Sequence, residues 1–501
     1  MTFKILPDQT HTETRTYDAA GNLYQLTHFN GAVTTYTYDA LNRLLSRATP
    51  GEPTVSFTYT PTGKYLTSTA ADGTVNYGYN ALDQLTTKAT PEGTLSYTYF
   101  PSGKVETIAS SNPNGISVAH TYDDLNRLST VVDNRLQGNQ TTTYTYDPAS
   151  NVASVATPNS LTASFTYNAL NRLTALTTPV SSYNYQLGAT GNRTSATEGN
   201  GRSLTWNYDG IYRLTNETIA GDPSNNGSAS YSLDPVGNRT SVNSSFNGFT
   251  PIAGTYNADD EISSETYDAN GNVTSTDGMN YTYDSQNHML TASGNGKSIS
   301  MIYDAFGNRV AKTVNGVSTQ YLVEDDVNPT GLPQVVEELT GSFGAGVVTR
   351  TYTYGLQRIS QNLSPAVSGN STWTPSFYVY DGGGSVRQLT NSNGTVTDEY
   401  EYDAYGNSFT KSGTTPNNYL YRGEQYDADL SLYYLRARYY NPATGRFLSR
   451  DPEDGVPTEP ATLHKYDYAG SNPVNAMDPT GRSSMVEYLL PIGIIDLGPQ
   501  K

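Results

Sequence analysis

The chain contains no cysteine and few charged residues, and both shortages limit what it can do. Without cysteine, a disulfide framework and a thiolate metal site are excluded. Only 15% of the 501 residues are charged, and the formal net charge is −18. Phosphate binding needs a basic patch, so we expect no nucleic-acid partner. An anionic membrane surface is disfavoured for the same reason.

Long apolar runs and the common catalytic patterns are missing as well. No segment approaches the 18 apolar residues of a membrane span, and Met1 to Leu26 shows no signal peptide. The five histidines are scattered without metal-ligand spacing, so we expect no metal and no cofactor. A Gly-x-Ser-x-Gly elbow with a histidine and a complete phosphate loop are also absent.

Tyrosine dominates what is present, with 42 copies against 12 phenylalanines and 2 tryptophans. Tyrosine and threonine favour the half-buried surface of a β-sheet. Glycine and asparagine favour the turns between strands. The composition therefore predicts a folded, all-β protein.

A repeat of 20 to 21 residues runs along the chain, marked by Tyr17, Tyr38, Tyr59, Tyr79 and Tyr99. Each unit reads aromatic-Thr-Tyr-Asp, then a turn with glycine or asparagine at its fourth place. The aspartate ends a strand because its side chain bonds neighbouring backbone, and the fourth place suits a positive φ. Each unit is thus two strands and two turns. Adjacent hairpins are expected to pair into one continuous antiparallel sheet.

Two segments depart from the repeat. Residues 314–349 carry a cluster of carboxylates, and we interpret them as a longer hairpin or a surface loop. Residues 428–440 are the best helix candidate by their own pattern, but the C-terminal motifs described below favour strands there.

The C-terminal motifs follow one another in a distinctive order. They are Tyr421-Arg422-Gly423-Glu424-Gln425-Tyr426-Asp427, Leu432-Tyr433-Tyr434-Leu435-Arg436-Ala437-Arg438-Tyr439-Tyr440, Gly445-Arg446-Phe447-Leu448-Ser449-Arg450-Asp451-Pro452, Asn472-Pro473-Val474-Asn475 and Asp478-Pro479-Thr480-Gly481. With the repeats, this order resembles the Rhs/YD-repeat family and its Rhs-associated core region.

The resemblance implies a coiled β-shell whose core region spirals inward as a plug. It divides the chain into a lead-in (1–14), a shell (15–415), a core region (416–481) and a short tail (482–501). In bacterial members a toxin follows the core region, whereas in teneurins a related shell serves cell adhesion. The expected partners are the chain's own C-terminal effector or a shell-closing partner in a larger protein, and the expected location is extracellular or on the cell surface. Only 20 residues follow Gly481, so the toxin domain is expected to be lost or truncated.

Some members of the family cleave themselves after the core region with two aspartates and an arginine. The resemblance places these roles on Arg450, Asp451 and Asp467, with the cut between Met485 and Leu497, beside Leu489 or Leu490. Two close carboxylates share one proton, so one activates water while the other protonates the peptide. The alternative is structural, with Asp451 and Asp478 as turn residues and Asp467 paired to Lys465 or Arg450.

A second class of function also fits the composition. Exposed tyrosines that stack on sugars would make a carbohydrate- or cell-surface-binding repeat protein without enzymatic activity. The direction in which the tyrosines face separates this function from that of a shell around an effector. Tyrosines that line a closed interior favour the shell, and a solvent-facing row of rings favours sugar binding.

Overall fold

The computed structural model describes residues 1–135, 140–222, 224–246, 249, 252–459, 462–482 and 485–486, and it is almost entirely β-sheet. Strands follow one another as antiparallel hairpins, as the repeat predicts. In these ranges no helix has the length and apolar character to cross a membrane.

The first 24 strands form one sheet, here called the first winding. They are β1 (Thr2–Ile5), β2 (Thr12–Tyr17), β3 (Leu23–Thr27), β4 (Val33–Tyr38), β5 (Leu44–Ala48), β6 (Val55–Tyr59), β7 (Tyr65–Ala70), β8 (Gly73–Tyr79), β9 (Leu85–Thr90), β10 (Gly93–Tyr99), β11 (Val105–Ser110), β12 (Ser117–Tyr122), β13 (Leu128–Asp133), β14 (Thr141–Tyr146), β15 (Val152–Ala156), β16 (Thr162–Tyr167), β17 (Leu173–Thr177), β18 (Ser182–Leu187), β19 (Arg193–Glu198), β20 (Ser203–Tyr208), β21 (Leu214–Ala220), β22 (Gly227–Leu233), β23 (Arg239–Ser244) and β24 (Ile252–Ala253).

The next 14 strands form a separate sheet, the second winding. They are β25 (Thr266–Tyr267), β26 (Val273–Thr276), β27 (Met279–Tyr283), β28 (Met289–Gly294), β29 (Lys297–Tyr303), β30 (Arg309–Val314), β31 (Val317–Glu324), β32 (Gln334–Thr340), β33 (Val347–Tyr354), β34 (Arg358–Leu363), β35 (Thr374–Tyr380), β36 (Val386–Thr390), β37 (Val396–Tyr402) and β38 (Ser408–Ser412), with the short helix α1 (Pro365–Ser368) between β34 and β35.

The core region adds two small sheets and two 3₁₀ turns. They comprise β39 (Gln425–Asp427), β40 (Leu432–Leu435), β41 (Arg438–Asn441), β42 (Arg446–Phe447), β43 (Ala476–Met477), β44 (Met485–Val486) and the turns Tyr421–Gly423 and Ala469–Ser471.

The structure corrects one expectation from the sequence and decides between the alternatives that two others left open. The ribbon is two sheets rather than one, because residues 254–265 make a single bridge, between Tyr256 and Ile262, and not a ladder. The irregular segment is a long hairpin, β31–β32, and not a surface loop, since its Glu324 and Glu337 are buried. Residues 428–440 contain the antiparallel strands β40 and β41, as their C-terminal context favours, and not the helix that their own pattern allows.

The turn after each repeated tyrosine is built as the sequence predicts. In the hairpin β4–β5, Asp39 Oδ1 accepts the N–H groups of Leu41 at 2.8 Å and Arg43 at 3.0 Å. Asn42 has a φ of +61°, and Gly21 has +88° at the equivalent place. An aspartate that bonds the backbone two and four residues on thus stops the strand and fixes the turn.

A β-bulge precedes the second tyrosine of most hairpins. The register shifts between Thr58 and Tyr59 and again between Thr145 and Tyr146. The bulge aims the tyrosine back along the sheet, where Tyr59 donates to the Leu44 carbonyl and Tyr146 to the Leu128 carbonyl, both at 2.7 Å. The repeated tyrosine therefore ties many of the hairpins to the one before.

Tyr146→Phe is expected to lower the free energy of unfolding by about 1 kcal/mol, because it removes the hydroxyl and keeps the ring. Tyr24→Phe is the matched control, since Tyr24 is exposed and its loss should change little. Urea denaturation of the two variants and the unsubstituted chain makes the measurement. Equal midpoints for all three would show that the hydroxyl does not tie the hairpins.

The second winding lies against the first, and the line of contact is here called the joint. Thr49 meets Ser285 at 3.0 Å, Asn159 donates to Thr390 at 2.9 Å, and Glu217 accepts the Ala404 N–H at 2.8 Å. The contacts join residues about 190 to 240 positions apart, so the second winding meets the first after about nine to eleven repeats.

The core region fills the space beside the joint. Tyr433, Tyr440 and Tyr468 pack in one hydrophobic cluster with Tyr97 of the first winding and Tyr352 of the second. Rings of three separate parts of the chain are buried together, and aromatic burial of this kind supplies most of the stabilisation. The core region is thus the plug that the resemblance implies.

Buried carboxyls in the joint make its stability depend on pH. Burial raises the pKa of Asp72 to about 8, reinforced by Asp304 and Glu92, and burial raises the pKa of Glu92 to about 7. Because the folded state binds these protons more tightly than the unfolded chain, the contribution of the two carboxyls to stability is full below about pH 4 and is lost as the pH rises to about 8.

Asp72→Asn is therefore expected to raise the free energy of unfolding by roughly 2–4 kcal/mol at pH 9 and to change little at pH 5. Asp124→Asn serves as control because Asp124 is exposed in a turn. Urea midpoints at both pH values measure the effect. A gain that is the same at pH 5 and pH 9 would rule out the titration of Asp72 as its cause.

Candidate functional site

Arg438 lies at the start of β41 and joins two carboxylates of the core region. Its Nη2 donates to Asp451 Oδ2 at 2.9 Å and to Asp478 Oδ2 at 3.3 Å. Because both oxygens lie within 3.3 Å of one nitrogen, they are no more than twice that distance apart. The guanidinium itself is buried, with its central carbon 3.6 Å from the centre of the Phe447 ring.

The remaining donors of Arg438 hold the backbone on both sides of this pair. Nη1 donates to the Lys465 carbonyl at 3.0 Å, and Nε donates to the Gly481 carbonyl. Gly481 is the last residue of the boundary motif, so Arg438 fixes the point from which the tail departs. A planar fork that binds carboxylates and carbonyls together is the particular ability of arginine.

Each aspartate is also held by its own turn. Asp451 accepts the Glu453 N–H at 2.9 Å, and its own N–H donates to the Lys465 carbonyl at 2.9 Å. Asp478 accepts the Arg482 N–H at 3.1 Å and the Thr480 hydroxyl at 3.2 Å. Both are therefore turn residues, as the structural alternative expects, and both face Arg438 at the same time.

Burial sets the protonation of the cluster. Burial raises the pKa of Asp451, and the Arg438 guanidinium opposes that rise. Burial lowers the pKa of Arg438 itself, against the attraction of Asp451 and Asp478. Burial and the neighbouring Lys4 lower the pKa of Lys465 to about 8. A carboxyl with a raised pKa beside a second carboxylate suits shared-proton chemistry.

The trio predicted from the sequence, Arg450, Asp451 and Asp467, is not brought together. The Arg450 guanidinium stacks 5.1 Å from the centre of the Phe29 ring, in the first winding. The Asp467 carboxylate accepts the Ser471 hydroxyl at 2.9 Å, and the backbone of Asp467 forms an antiparallel β-bridge with that of Arg446. Burial raises the pKa of Asp467 to about 7, but the carboxyl belongs to a different set of neighbours. Of the three, only Asp451 lies in the cluster.

Arg438 and Asp478 are the residues that sequence reasoning missed as a site. The signal was the repetition of Asp-Pro, at Asp451-Pro452 and at Asp478-Pro479, around one buried arginine. The predicted cut between Met485 and Leu497, with Leu489 and Leu490, lies outside the described residues except for the two residues of β44.

A family model described as the teneurin YD-shell matches residues 1–142 and 215–474, and an RHS repeat model matches residues 146–182. Among curated proteins, the tRNA3(Ser)-specific nuclease WapA of Bacillus spizizenii is 34% identical over 292 residues, which is 57% of this chain and 11% of that protein. The tRNA nuclease WapA of Bacillus subtilis is 34% identical over 269 residues, with 50% and 11% covered. The chain thus spans about a tenth of the length of these relatives.

Solved structures agree on the fold. The crystal structure of TcdB2-TccC3 aligns with a TM-score of 0.79 at 18% identity, over 94% of this chain and 28% of that one. The Photorhabdus luminescens Tc holotoxin pore with the TccC3-D651A mutation aligns with a TM-score of 0.77 at 17% identity, over 96% and 28%. The family model covers most of the chain and the described residues form its hairpin shell, so the chain belongs to the teneurin YD-shell family.

Proposed function

We propose that this chain is part of the wall of a bacterial Rhs-type shell, which presents a C-terminal effector and releases it by cutting the chain after the core region. The observation that carries the proposal is the buried Arg438 between Asp451 and Asp478, directly before the tail. The proposal replaces Arg450 and Asp467 by Arg438 and Asp478 as working residues, because those are the groups that face Asp451.

The chemistry assigned to the pair is peptide hydrolysis. Asp478 accepts a proton from a water molecule as its oxygen attacks the carbonyl carbon of the scissile bond. Asp451, whose pKa is raised, supplies the shared proton, which reaches the leaving nitrogen as the C–N bond breaks. Arg438 is a positioning residue that holds both carboxyls and the Gly481 carbonyl in one geometry. The products are a new carboxyl end on the shell and a new amino end on the released segment.

The intact mass of the purified full chain tests self-cleavage. The expected result is a shell fragment that ends between residues 485 and 497 and its complementary peptide, both lost in Asp451→Asn. A single species at full mass in both proteins would remove self-cleavage from the proposal, while the wall itself would stand.

The relatives bear on which part of a longer protein this chain represents. The names of the WapA relatives describe tRNA nucleases, and those proteins are about nine times longer than the region they share with this chain. We place the shared region in the wall, because the matched residues are YD repeats. The partner is thus the effector that follows the core region, or a protein that closes the shell, and the site of action is outside the producing cell.

The carbohydrate-binding alternative is less well supported. Among the described residues, only Tyr17, Tyr24 and Tyr212 are exposed, and they lie on separate hairpins. Stacking on an extended sugar needs a continuous row of open rings. A glycan array probed with the full chain decides the matter, since specific binding would restore this alternative and uniform background would end it.

A further inference from the structure

A buried lysine lies at the joint, on the inward face of β9. The cross-strand neighbours of Lys88 are Tyr77 of β8 and Leu95 of β10, and both are buried. The Lys88 side chain is itself only 3% exposed. Lysine is rarely buried to this extent unless it has a partner. The Lys88 amine therefore lies out of reach of bulk water, between an aromatic ring and an aliphatic side chain.

Consecutive acidic residues of the second winding meet this amine. Its Nζ contacts Asp325 Oδ1 and lies 3.4 Å from Asp326 Oδ2. It also donates to the Val323 carbonyl at 3.3 Å. Glu324 Oε1 accepts the Asp326 N–H at 3.0 Å, so Glu324 helps to fix the turn that presents the two aspartates. One buried amine thus faces two carboxylates, and the nearer one comes from 237 positions further along the chain.

The other oxygen of Asp325 has a hydrogen-bond donor of its own. Asn308 Nδ2 donates to Asp325 Oδ2 at 3.0 Å, and the same nitrogen donates to Asp304 Oδ2 at 2.9 Å. The amide of Asn308 is therefore held in place by two carboxylates. A fixed donor at this oxygen stabilises the negative charge that develops there when a nucleophile adds to the carboxyl carbon.

We propose that Lys88 and Asp325 condense to an amide between their side chains, which joins the first and second windings by a covalent bond. The ion pair is the starting state. A proton passes from Lys88 Nζ to Asp325 Oδ1, and this transfer removes two charges from a buried place. The neutral amine then attacks Cγ of Asp325 and forms the N–C bond, while Asn308 holds the charge that develops on Oδ2.

Asp326 carries the second proton of the reaction. Its carboxylate accepts a proton from the attacking nitrogen and passes it to Asp325 Oδ1, which leaves as water when the C–O bond breaks. The three hydrogens of the ammonium end as one amide N–H and one water molecule, and Asp326 is ionised again. The step consumes no oxidant and no further reactant. Exclusion of bulk water favours the condensation over its reversal.

The bond gives this chain a covalent brace that needs no cysteine. It links positions 237 residues apart, so it restricts the unfolded chain and holds the second winding against the first. A disulfide does the same in other proteins, but an amide does not depend on the redox state of the surroundings. The brace lies in the wall and is independent of the proposed cleavage after the core region.

Two other lysine pairs of the chain differ from this one in a way that keeps them ionic. Lys312 is 10% exposed and contacts Asp427, but Arg309 Nη1 also lies 3.3 Å from the Asp427 carboxylate. A second cation favours the charged form of that carboxylate, which is a poor target for an amine. Lys4 and its partner Asp454 are 29% and 56% exposed, so water reaches them. Lys312 therefore provides a matched control.

The intact mass of the full chain gives the first test. The chain carries Asp451→Asn, so that self-cleavage does not alter the mass. We expect it to be lighter than its sequence mass by one water molecule, whereas Lys88→Met in the same background should have its full sequence mass. Lys312→Met should keep the loss of water. A chain without Lys88→Met that has its full sequence mass overturns the inference, because no condensation has then taken place.

A peptide map of the same chain places the bond, and it does not depend on the folding of any variant. Aspartate before glycine, as at Asp72-Gly73, can also lose water, by closing onto its own backbone. Trypsin is expected to leave the chain uncut after Lys88 and to release one branched peptide that contains both Lys88 and Asp325. A loss of water that maps to any other pair or to an Asp-Gly sequence overturns the inference.

Discussion

Asp478→Asn is expected to leave the chain uncut, with a loss of at least about a hundredfold in the rate of self-cleavage. The amide cannot accept the proton of the attacking water, and Arg438 is left with Asp451 as its one carboxylate partner of the pair. The fraction of full-length chain, followed over time by intact mass, measures the effect.

Asp467→Asn is the control that separates this site from the one predicted by sequence. The Asp467 carboxyl accepts the Ser471 hydroxyl and makes no contact with Arg438, so Asp467→Asn is expected to leave the rate of self-cleavage unchanged. If Asp467→Asn blocks cleavage and Asp478→Asn does not, the assignment to Arg438, Asp451 and Asp478 is wrong.

Variants of Arg438 test whether this residue positions the two carboxylates for cleavage. Arg438→Lys keeps a positive charge, but a single ammonium cannot hold two carboxylates and two carbonyls at once. We expect slow cleavage in Arg438→Lys, with a free energy of unfolding closer to that of the unsubstituted chain than Arg438→Ala gives. Equal cleavage rates in Arg438→Lys and the unsubstituted chain would mean that Arg438 contributes only its positive charge and does not position the carboxylates.

Lys88→Ala is expected to lower the free energy of unfolding by roughly 3–5 kcal/mol. Lys88 reaches from β9 across the joint to Asp325 and Asp326 of the second winding, and its side chain is only 3% exposed. Burial alone would lower the pKa of Lys88, but the two aspartates raise it, so the ammonium stays charged. Its removal leaves buried carboxylates without their cation, which is costlier than the loss of an exposed pair.

The control for this prediction is Lys64→Ala, because Lys64 is exposed in a turn of the same sheet and its loss should cost less than about 0.5 kcal/mol. Replacing the charges together, as in Lys88→Met with Asp325→Asn and Asp326→Asn, is expected to recover much of the lost stability. Urea denaturation of all three variants supplies the comparison. A cost for Lys88→Ala no larger than that for Lys64→Ala would mean that the joint does not depend on this pair.

The turn after the repeated tyrosine could be predicted because the residues of a single repeat are enough to specify it. Asp39 and Asn42 specify the turn through side-chain hydrogen bonds and a positive φ, which need no information from the rest of the chain. The bulge that turns Tyr59 toward the Leu44 carbonyl was not predicted. It depends on the pairing of two strands, and alternation along one strand does not reveal it.

The long-range arrangement lay beyond the repeat pattern. Thr49 meets Ser285 because of the twist and pitch accumulated over about eleven hairpins, which no single hairpin encodes. For residues 314–349 the sequence left a longer hairpin and a surface loop open, and the structure has the hairpin. In the structure Glu337 is buried, where it accepts hydrogen bonds from Asn112 and from the Ile116 N–H.

The proposed site shares one residue with the trio that the sequence predicts. Asp451 was found by resemblance, and its turn in Ser-Arg-Asp-Pro is as expected. The resemblance also placed roles on Asp467 and Arg450, but in the structure the Asp467 carboxyl accepts the Ser471 hydroxyl and the Arg450 guanidinium lies over the Phe29 ring. Arg438 lies on β41, and only the packing of β41 against the two Asp-Pro turns reveals its role.

A core region that cuts its own chain does so within one molecule, so the rate of cleavage is expected to be independent of protein concentration. Freshly refolded full chain is followed by intact mass at two concentrations about tenfold apart. We expect a cut between residues 485 and 497 that proceeds with the same first-order rate constant at both concentrations. A rate that rises with concentration, or a chain that stays whole at both, would contradict it.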